Sequence, residues 1–162
     1  MNTISSRQIN LIMLLMATVI IGFSYFCQYI LLLEPCSLCI MQRFLYIFIG
    51  LFALLAVLQN PKRIGLRIYA TLTILISVLG FMVAGRQIWL QHLPADQIPS
   101  CGPSLIDMLE SFPIIEVLEV LFMGNGNCAE VIWQFLGFSI AEWSFFLFVI
   151  FIAINIRVWL KG

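Results

Sequence analysis

Pro35-Cys36-Ser37-Leu38-Cys39-Ile40-Met41-Gln42-Arg43 separates two long apolar runs of the chain, residues 9–33 and residues 40–58. A helix of about 20 apolar residues crosses the ~30 Å of a bilayer's hydrocarbon, so each run is long enough to span a membrane. Pro35 ends the first helix, because proline lacks an N–H donor and its ring clashes with the preceding turn. The stretch therefore predicts a short connection between two spanning helices, with both of its cysteines near a membrane surface.

The composition of the whole chain supports a membrane protein. Of its 162 residues 62% are hydrophobic and only 10% are charged, and the mean hydropathy is +1.07. Soluble domains carry about 25% charged residues. Two further apolar runs cover residues 68–90 and 143–160, which leaves one long loop at residues 91–142. We therefore predict an all-α, four-transmembrane-helix bundle that forms a single integral membrane domain over residues 1–162.

The charged residues divide between the two sides of this bundle. Every acidic residue falls on the side of the long loop, and the other side carries most of the basic residues: Arg7, Lys62, Arg63, Arg67, Arg157 and Lys161. Basic loops stay in the cytoplasm, so this pattern predicts that both termini are cytoplasmic. The cysteine pairs Cys36, Cys39 and Cys101, Cys128 then face an oxidising space, which is either the periplasmic side of a bacterial inner membrane or an equivalent lumen.

Cys36 and Cys39 are spaced for redox chemistry. Two cysteines three positions apart at the start of a helix can close a small disulfide and reopen it. The helix N-terminus places partial positive charge near the second thiol. Arg43 follows Cys39 by four residues, so both side chains share a helix face and a fixed cation lies beside the sulfur. Cys39 is therefore predicted to be the reactive thiol.

Other interpretations of the cysteines remain open at this point. A C-x-x-C motif is also half of a zinc site, but the chain has no second such motif and His92 is its single histidine. A disulfide between Cys101 and Cys128 would close a loop of about 30 residues, which stabilises a fold by ~3 to 4 kcal/mol. Considered alone, such a bridge is interpreted as structural. The alternatives to a redox protein are a scaffold with static disulfides and a protein that binds soft metals.

The long loop contains two helical patterns and a flexible run. A helix capped by Ser104 would align Leu105, Met108, Leu109 and Phe112 along one side. Residues 114–122 carry Glu116 and Glu119 among apolar side chains, which predicts a short helix lying flat on the bilayer or packed on the loop itself. The run Gly124-Asn125-Gly126-Asn127 then predicts a mobile hinge before Cys128.

Together these features resemble the DsbB family of disulfide-generating membrane proteins. The resemblance includes four helices, the outer C-x-x-C with Arg43, and a second outer cysteine pair. Further matching stretches are Arg86-Gln87-Ile88-Trp89-Leu90-Gln91, Cys101-Gly102-Pro103, Gly126-Asn127-Cys128-Ala129-Glu130, Trp133, Leu136-Gly137 and Trp143. The resemblance covers essentially the whole chain.

The resemblance implies a specific electron path. A periplasmic, DsbA-like thioredoxin-fold oxidase would be reoxidised by the Cys101–Cys128 disulfide, forming its mixed disulfide with Cys101. The electrons would then pass to the Cys36–Cys39 pair and from Cys39 to a membrane quinone, either ubiquinone or menaquinone. Arg43 would polarise the quinone oxygen. The implied partners are this oxidase, the quinone pool and the lipid bilayer.

Three polar residues and one further cysteine have less certain roles. Gln87 and His92 are the remaining candidates for quinone binding, while His92 also suits simple packing at the interface. Arg86 suits either a quinone contact or a side chain that extends to the membrane surface. Cys27 lies within the first apolar run and is predicted to be a packing residue. No metal site is expected, and no basic surface indicates nucleic-acid binding.

Overall fold

The structure, a computed structural model, describes residues 5–100 and 112–161. Two 3₁₀ turns, Ala95–Gln97 and Gly126–Cys128, lie outside the long helices, as does a hairpin of strands β1 (Gln134–Phe135) and β2 (Phe138–Ser139). The helices are α1 (Ser6–Tyr29), α2 (Ser37–Gln59), α3 (Arg63–Gln91), α4 (Ile114–Met123) and α5 (Ile140–Lys161).

Helices α1, α2, α3 and α5 are each long and apolar enough to cross a membrane. The predicted all-α, four-helix membrane fold is therefore confirmed. The helix ends differ from the apolar runs. Helix α1 begins at Ser6 because Ser5 and Gln8 form a reciprocal capping box. The prediction that Pro35 ends this helix is wrong, because the helix already ends at Tyr29 and the chain turns at Leu32, which has a φ of 53°. Helix α3 begins at Arg63, two residues after Pro61, so its first turn precedes the apolar run at residues 68–90.

The helices run up and down in the order of the chain. Helix α1 packs on α2, α2 packs on α3, and α3 packs along α5, whereas α1 and α5 touch at few points. Ile9, Leu66 and Val158 pack together at one end of the bundle. The predicted cluster of basic residues therefore lies at this end. At the other end, Leu38 and Leu90 contact Gly124 of the long loop.

Buried polar groups and one stacked pair of aromatic rings hold the centre of the bundle. The fully buried Phe148 of α5 stacks on Tyr46 of α2 with 4.4 Å between ring centroids. The Tyr46 hydroxyl lies 2.9 Å from Ser144 Oγ, and Asn155 Nδ2 lies 3.2 Å from Met13 Sδ on α1. Contacts of this kind hold helices together where surrounding lipid is as apolar as the side chains.

The long loop contains the predicted short helix, α4, at Ile114–Met123. Its exposed side chains include Ile114, Ile115 and Phe122 together with Glu116 and Glu119. The amphipathic character of this helix and its contact with a bilayer stay predictions. The predicted Ser104-capped helix with Leu105, Met108 and Leu109, and also Cys101, lie outside the described residues.

The run predicted to be a mobile hinge is docked on the bundle. Asn125 and Gly126 are buried, and the Gly126 N–H donates to the Ser100 carbonyl at 3.2 Å. Gly124 adopts a φ of 76°, which turns the chain onto helices α2 and α3. Gly124 therefore allows the backbone to pack closely on the bundle as well as to turn.

Gly80 on α3 faces the Phe148 ring so closely that an added Cβ would overlap it. Because the Phe148 ring is fully buried and also stacks on Tyr46, we expect Gly80→Ala to lower the free energy of unfolding by ~1 to 3 kcal/mol, the usual range for an overpacked core. The measurement is thermal unfolding in detergent.

Gly22→Ala is the matched control, since nothing lies within 4 Å of a Cβ at that helical position. Its melting temperature should stay equal to or slightly above that of the wild type. Equal melting temperatures for the Gly80 variant and the wild type would contradict the close α3–α5 contact.

Candidate active site

Cys36 and Cys39 occupy the first turn of α2. Cys36 is the N-cap of the helix, with φ −70° and ψ 167°, and Cys39 follows one turn later. Their sulfurs lie 3.2 Å apart, and both residues are free thiols in this structure. Oxidation could close a disulfide between them with little movement, because the two sulfurs already touch.

Cys128 comes to the same place from the long loop. The 3₁₀ turn Gly126–Cys128 sits over the start of α2, and Cys128 Sγ lies 3.4 Å from Ser37 Oγ. The Cys128 sulfur also interacts with the thiol of Cys36. Three of the four predicted redox cysteines therefore form one cluster, in which Cys36 and Cys128 are buried and Cys39 is half-buried. The fourth, Cys101, lies outside the described residues.

The contacts within this cluster separate the acidities of two thiols. Hydrogen bonding from the Cys36 thiol, with smaller help from the Ser37 hydroxyl, lowers the pKa of Cys128 to about 6 against the opposing effect of burial. The same contacts with Cys128, followed by those with Cys39, raise the pKa of Cys36. In the reduced protein near neutral pH, Cys128 is therefore the nucleophilic thiolate and Cys36 is its proton-bearing neighbour.

Two buried amides complete the cluster inside the bundle. Gln87 Nε2 donates to Cys39 Sγ at 3.2 Å and lies 3.6 Å from Cys36 Sγ. Gln42 Nε2 donates to Gln87 Oε1 at 2.7 Å, which turns the Gln87 N–H groups toward the sulfurs. Gln42 is a site residue that the sequence interpretation missed. A glutamine within an apolar spanning helix was the available signal, since buried polar residues in membranes are usually functional.

Arg43 lies one turn beyond Cys39 and is held by α1. Its Nε donates to Ser24 Oγ and its Nη1 donates to Gln28 Oε1, each at 2.6 Å. The guanidinium also lies 4.5 Å from the centroid of the Tyr25 ring. These contacts give the cation one defined position along the α1–α2 seam.

A cavity of about 510 Å³ opens beside the cysteine cluster. Its wall includes the polar residues Cys36, Cys39, Arg43 and Gln87, and most of the remaining lining is apolar side chains of α1, α5 and the segment that precedes β1. Phe23 and Trp133 meet edge to face across its rim, with centroids 5.6 Å apart. The volume and the few convergent polar groups suit a small-molecule site.

Three further residues considered from the sequence have defined places in the structure. His92 is exposed, its Nδ1 lies 2.8 Å from the Ile88 carbonyl oxygen, and it is not among the residues that line the cavity. Its role in quinone binding stays a prediction. Cys27 is buried, as predicted for a packing residue, and it also lines the cavity. Arg86 donates from Nε to the Met123 carbonyl at the end of α4.

Comparison with known proteins gives this cluster a context. The family model described as disulfide bond formation protein DsbB matches residues 6–158. The chain belongs to the DsbB family. The predicted resemblance is thereby confirmed, and with it the coarse activity, a disulfide-forming oxidoreductase embedded in a membrane by several helices.

Several DsbB proteins are similar to this chain over nearly its whole length. Disulfide bond formation protein B of Hahella chejuensis is 44% identical over 158 residues, which are 98% of this chain and 96% of that protein. The protein of the same name from Marinobacter nauticus is 43% identical over 97% of this chain and 94% of its own length. Disulfide bond formation protein B 1 of Pseudomonas aeruginosa is 38% identical over 97% and 96%.

The lowered pKa of Cys128 can be measured by alkylation. In the fully reduced protein, the rate of iodoacetamide addition at Cys128 should rise with pH around a midpoint of about 6. Cys36→Ala removes the largest cause of the lowering, so the midpoint should move up toward the ordinary thiol value of ~8.5. Mass spectrometry of the peptide that contains Cys128 gives the rate at each pH.

Ser37→Ala provides a graded comparison, because the hydroxyl of Ser37 is a smaller cause of the same shift. Its midpoint should lie between those of the wild type and Cys36→Ala. A wild-type midpoint above pH 8 would contradict the contact between Cys128 and Cys36.

Proposed function

We propose that this DsbB-family protein reoxidises a periplasmic, DsbA-like thioredoxin-fold oxidase and passes the electrons through its two cysteine pairs to a membrane quinone. The observation that carries the proposal is the meeting of Cys128 with Cys36 and Cys39 at the wall of an apolar cavity. A loop cysteine and a membrane-embedded pair within one contact network support a relay between the two compartments.

The first exchange takes place in the loop. A thiolate of the reduced partner attacks Cys101 in the Cys101–Cys128 disulfide, which forms a mixed disulfide at Cys101 and releases Cys128 as a thiolate. The partner's second thiol then attacks its own cysteine in the mixed disulfide, so the partner leaves with a disulfide and Cys101 becomes a thiol. Two electrons and one proton have then moved from the partner to the loop pair, which ends as the Cys101 thiol and the Cys128 thiolate.

The second exchange takes place at the helix start. The Cys128 thiolate attacks Cys36 in the Cys36–Cys39 disulfide, a Cys36–Cys128 bond forms, and Cys39 leaves as a thiolate. Cys36 has no S–H to donate while it is in a disulfide, but the Ser37 hydroxyl and the backbone of Leu38 still lower the pKa of Cys128, which supports its role as the attacking group. The N–H donor of Gln87 and the helix N-terminus favour negative charge on the departing sulfur of Cys39. Attack by Cys101 on Cys128 then restores the loop disulfide and leaves Cys36 and Cys39 as a dithiol.

The cavity fits a quinone head group by size and chemistry. Its wall is mostly apolar, with Cys39 and the Arg43 cation among its few polar groups, and these two residues would hold the ring at the reacting end. A bound ubiquinone or menaquinone supplies the acceptor for the electron pair of Cys36 and Cys39. Ser24 and Gln28 hold the Arg43 guanidinium ready to stabilise negative charge, without reorganisation during the reaction.

The same proposal includes location and orientation. Helices α1 and α5 both line the cavity but touch each other at few points, which favours an entrance from the bilayer between them. The basic end of the bundle favours cytoplasmic termini and a periplasmic cysteine cluster in a bacterial inner membrane.

The relay is tested by quinone reduction with purified protein, a reduced DsbA-like partner and a ubiquinone analogue, followed by quinone absorbance. We expect turnover in the wild type and none in Cys39→Ser or Cys101→Ser, because each change removes a sulfur that carries the electrons. Arg43→Ala should lower turnover by ~10-fold or more, since it removes a charge aimed at the reacting end of the cavity.

Arg67→Ala is the matched control, because Arg67 is a cation that stacks on Trp159 near the opposite end of the bundle. It should keep near wild-type turnover. Gln87→Leu, which removes the donor to Cys39, should slow the reaction while leaving the chain folded. Undiminished turnover in Cys39→Ser would contradict the proposed path.

A further inference from the structure

The C-terminal end of α4 is tied to α3 by one side chain. Arg86 Nε donates to the carbonyl oxygen of Met123, the last residue of α4, at 3.2 Å. The guanidinium is itself held over the Trp89 ring, 4.3 Å from the centroid. The last carbonyls of a helix have no partner within the helix and carry partial negative charge, so a cation with an N–H donor is well matched to this position.

The next residue brings the backbone into direct contact with the bundle. Gly124 has a φ of 76°, and a Cβ at this position would lie 2.8 Å from Cδ1 of both Leu38 and Leu90. The chain therefore enters the groove between α2 and α3 at a point where both conformation and space favour glycine.

Cys128 follows this anchor after a short, ordered turn. Asn125 and Gly126 are buried, and the Gly126 N–H donates to the Ser100 carbonyl at 3.2 Å. The Cys128 N–H then donates to the Asn125 carbonyl at 2.9 Å. With the turn closed by these bonds, the place where Gly124 docks decides where the Cys128 sulfur lies.

We propose that Arg86 and Gly124 are positioning residues that hold Cys128 against Cys36 and thereby set the rate of exchange between the loop and the membrane-embedded cysteines. The significance for catalysis rests on the proposed function. Neither residue touches a reacting sulfur. Arg86 thus acts through α4 and its turn, which differs from both the quinone contact and the surface anchor considered from the sequence.

The rate of forming a Cys36–Cys128 disulfide measures this positioning directly. The test uses the full chain in detergent with Cys27→Ala, Cys39→Ser and Cys101→Ser, which leaves Cys36 and Cys128 as the two cysteines. Diamide, an azo oxidant, takes one hydrogen from each thiol, becomes the hydrazine and leaves the disulfide. Samples quenched over time are treated with a polyethylene glycol maleimide, and the loss of gel shift gives the rate.

We expect Arg86→Met and Gly124→Ala each to slow this disulfide by ~10-fold or more, because small displacements of reacting atoms cost large factors in rate. Arg86→Lys should recover part of the loss, since an ammonium can still donate to the Met123 carbonyl. Arg63→Met, at the opposite end of α3, is the matched control and should leave the rate unchanged.

A second cysteine pair separates positioning from general damage to the fold. In a chain with Cys27→Ala, Cys101→Ser and Cys128→Ser, diamide closes the Cys36–Cys39 disulfide, which lies within α2 and its cap. This rate should be the same with and without the Arg86 and Gly124 changes. Unchanged Cys36–Cys128 rates would overturn the proposal, and so would equal slowing of both pairs.

The disulfide rate does not depend on the proposed electron path, because the reaction mixture contains neither quinone nor a partner protein. If the turnover assay fails while Cys128 positioning depends on Arg86, the positioning role stands and the proposed function does not. If quinone turnover is observed while substitutions at Arg86 and Gly124 leave the rate of the Cys36–Cys128 disulfide unchanged, only the positioning role is overturned.

Discussion

The contact between the sulfurs of Cys128 and Cys36 joins the outer loop to the interior of the helix bundle. Residues of the loop and of the bundle hold the two sulfurs in place. Gly124 docks the loop from outside, while the α2 N-terminus holds the buried Cys36 at the end of the bundle. In the reduced protein the contact also separates the acidities of the two thiols, because it lowers the pKa of Cys128 and raises that of Cys36.

The inner side of the contact is polar within an otherwise apolar bundle. A buried amide or guanidinium without partners is costly, so each of these groups is bonded to another. Gln42 orients Gln87 toward Cys39, and Ser24 and Gln28 hold Arg43. The partners that lower the cost of burial therefore also fix the geometry at the wall of the cavity.

Local patterns in the sequence predicted the parts of this site that lie within one helix turn. The four spanning runs follow from hydropathy, and the Cys36–Cys39 pair at the start of α2 follows from its spacing. Arg43 was expected beside the Cys39 sulfur, whereas its guanidinium donates to Ser24 and Gln28 of α1. The Gln42–Gln87 bond and the Arg86 contact with Met123 depend on how α2, α3 and α4 are placed beside one another, which no local spacing reveals. Similarly, the glycine-rich composition around Gly124 predicted a hinge. The close approach of Gly124 to Leu38 and Leu90 shows that this point of the loop docks on the bundle.

The central claim is that the two cysteine pairs exchange electrons by thiol–disulfide exchange. It is tested most directly by counting the electrons that one reduced chain passes to quinone. Fully reduced protein without a partner is mixed anaerobically with excess ubiquinone analogue, and the quinol formed per chain is measured by absorbance. Four connected thiols should yield about two quinols per chain and end as two disulfides, Cys36–Cys39 and Cys101–Cys128, because each disulfide releases two electrons. One quinol per chain, with Cys101 and Cys128 still reduced, would contradict the account.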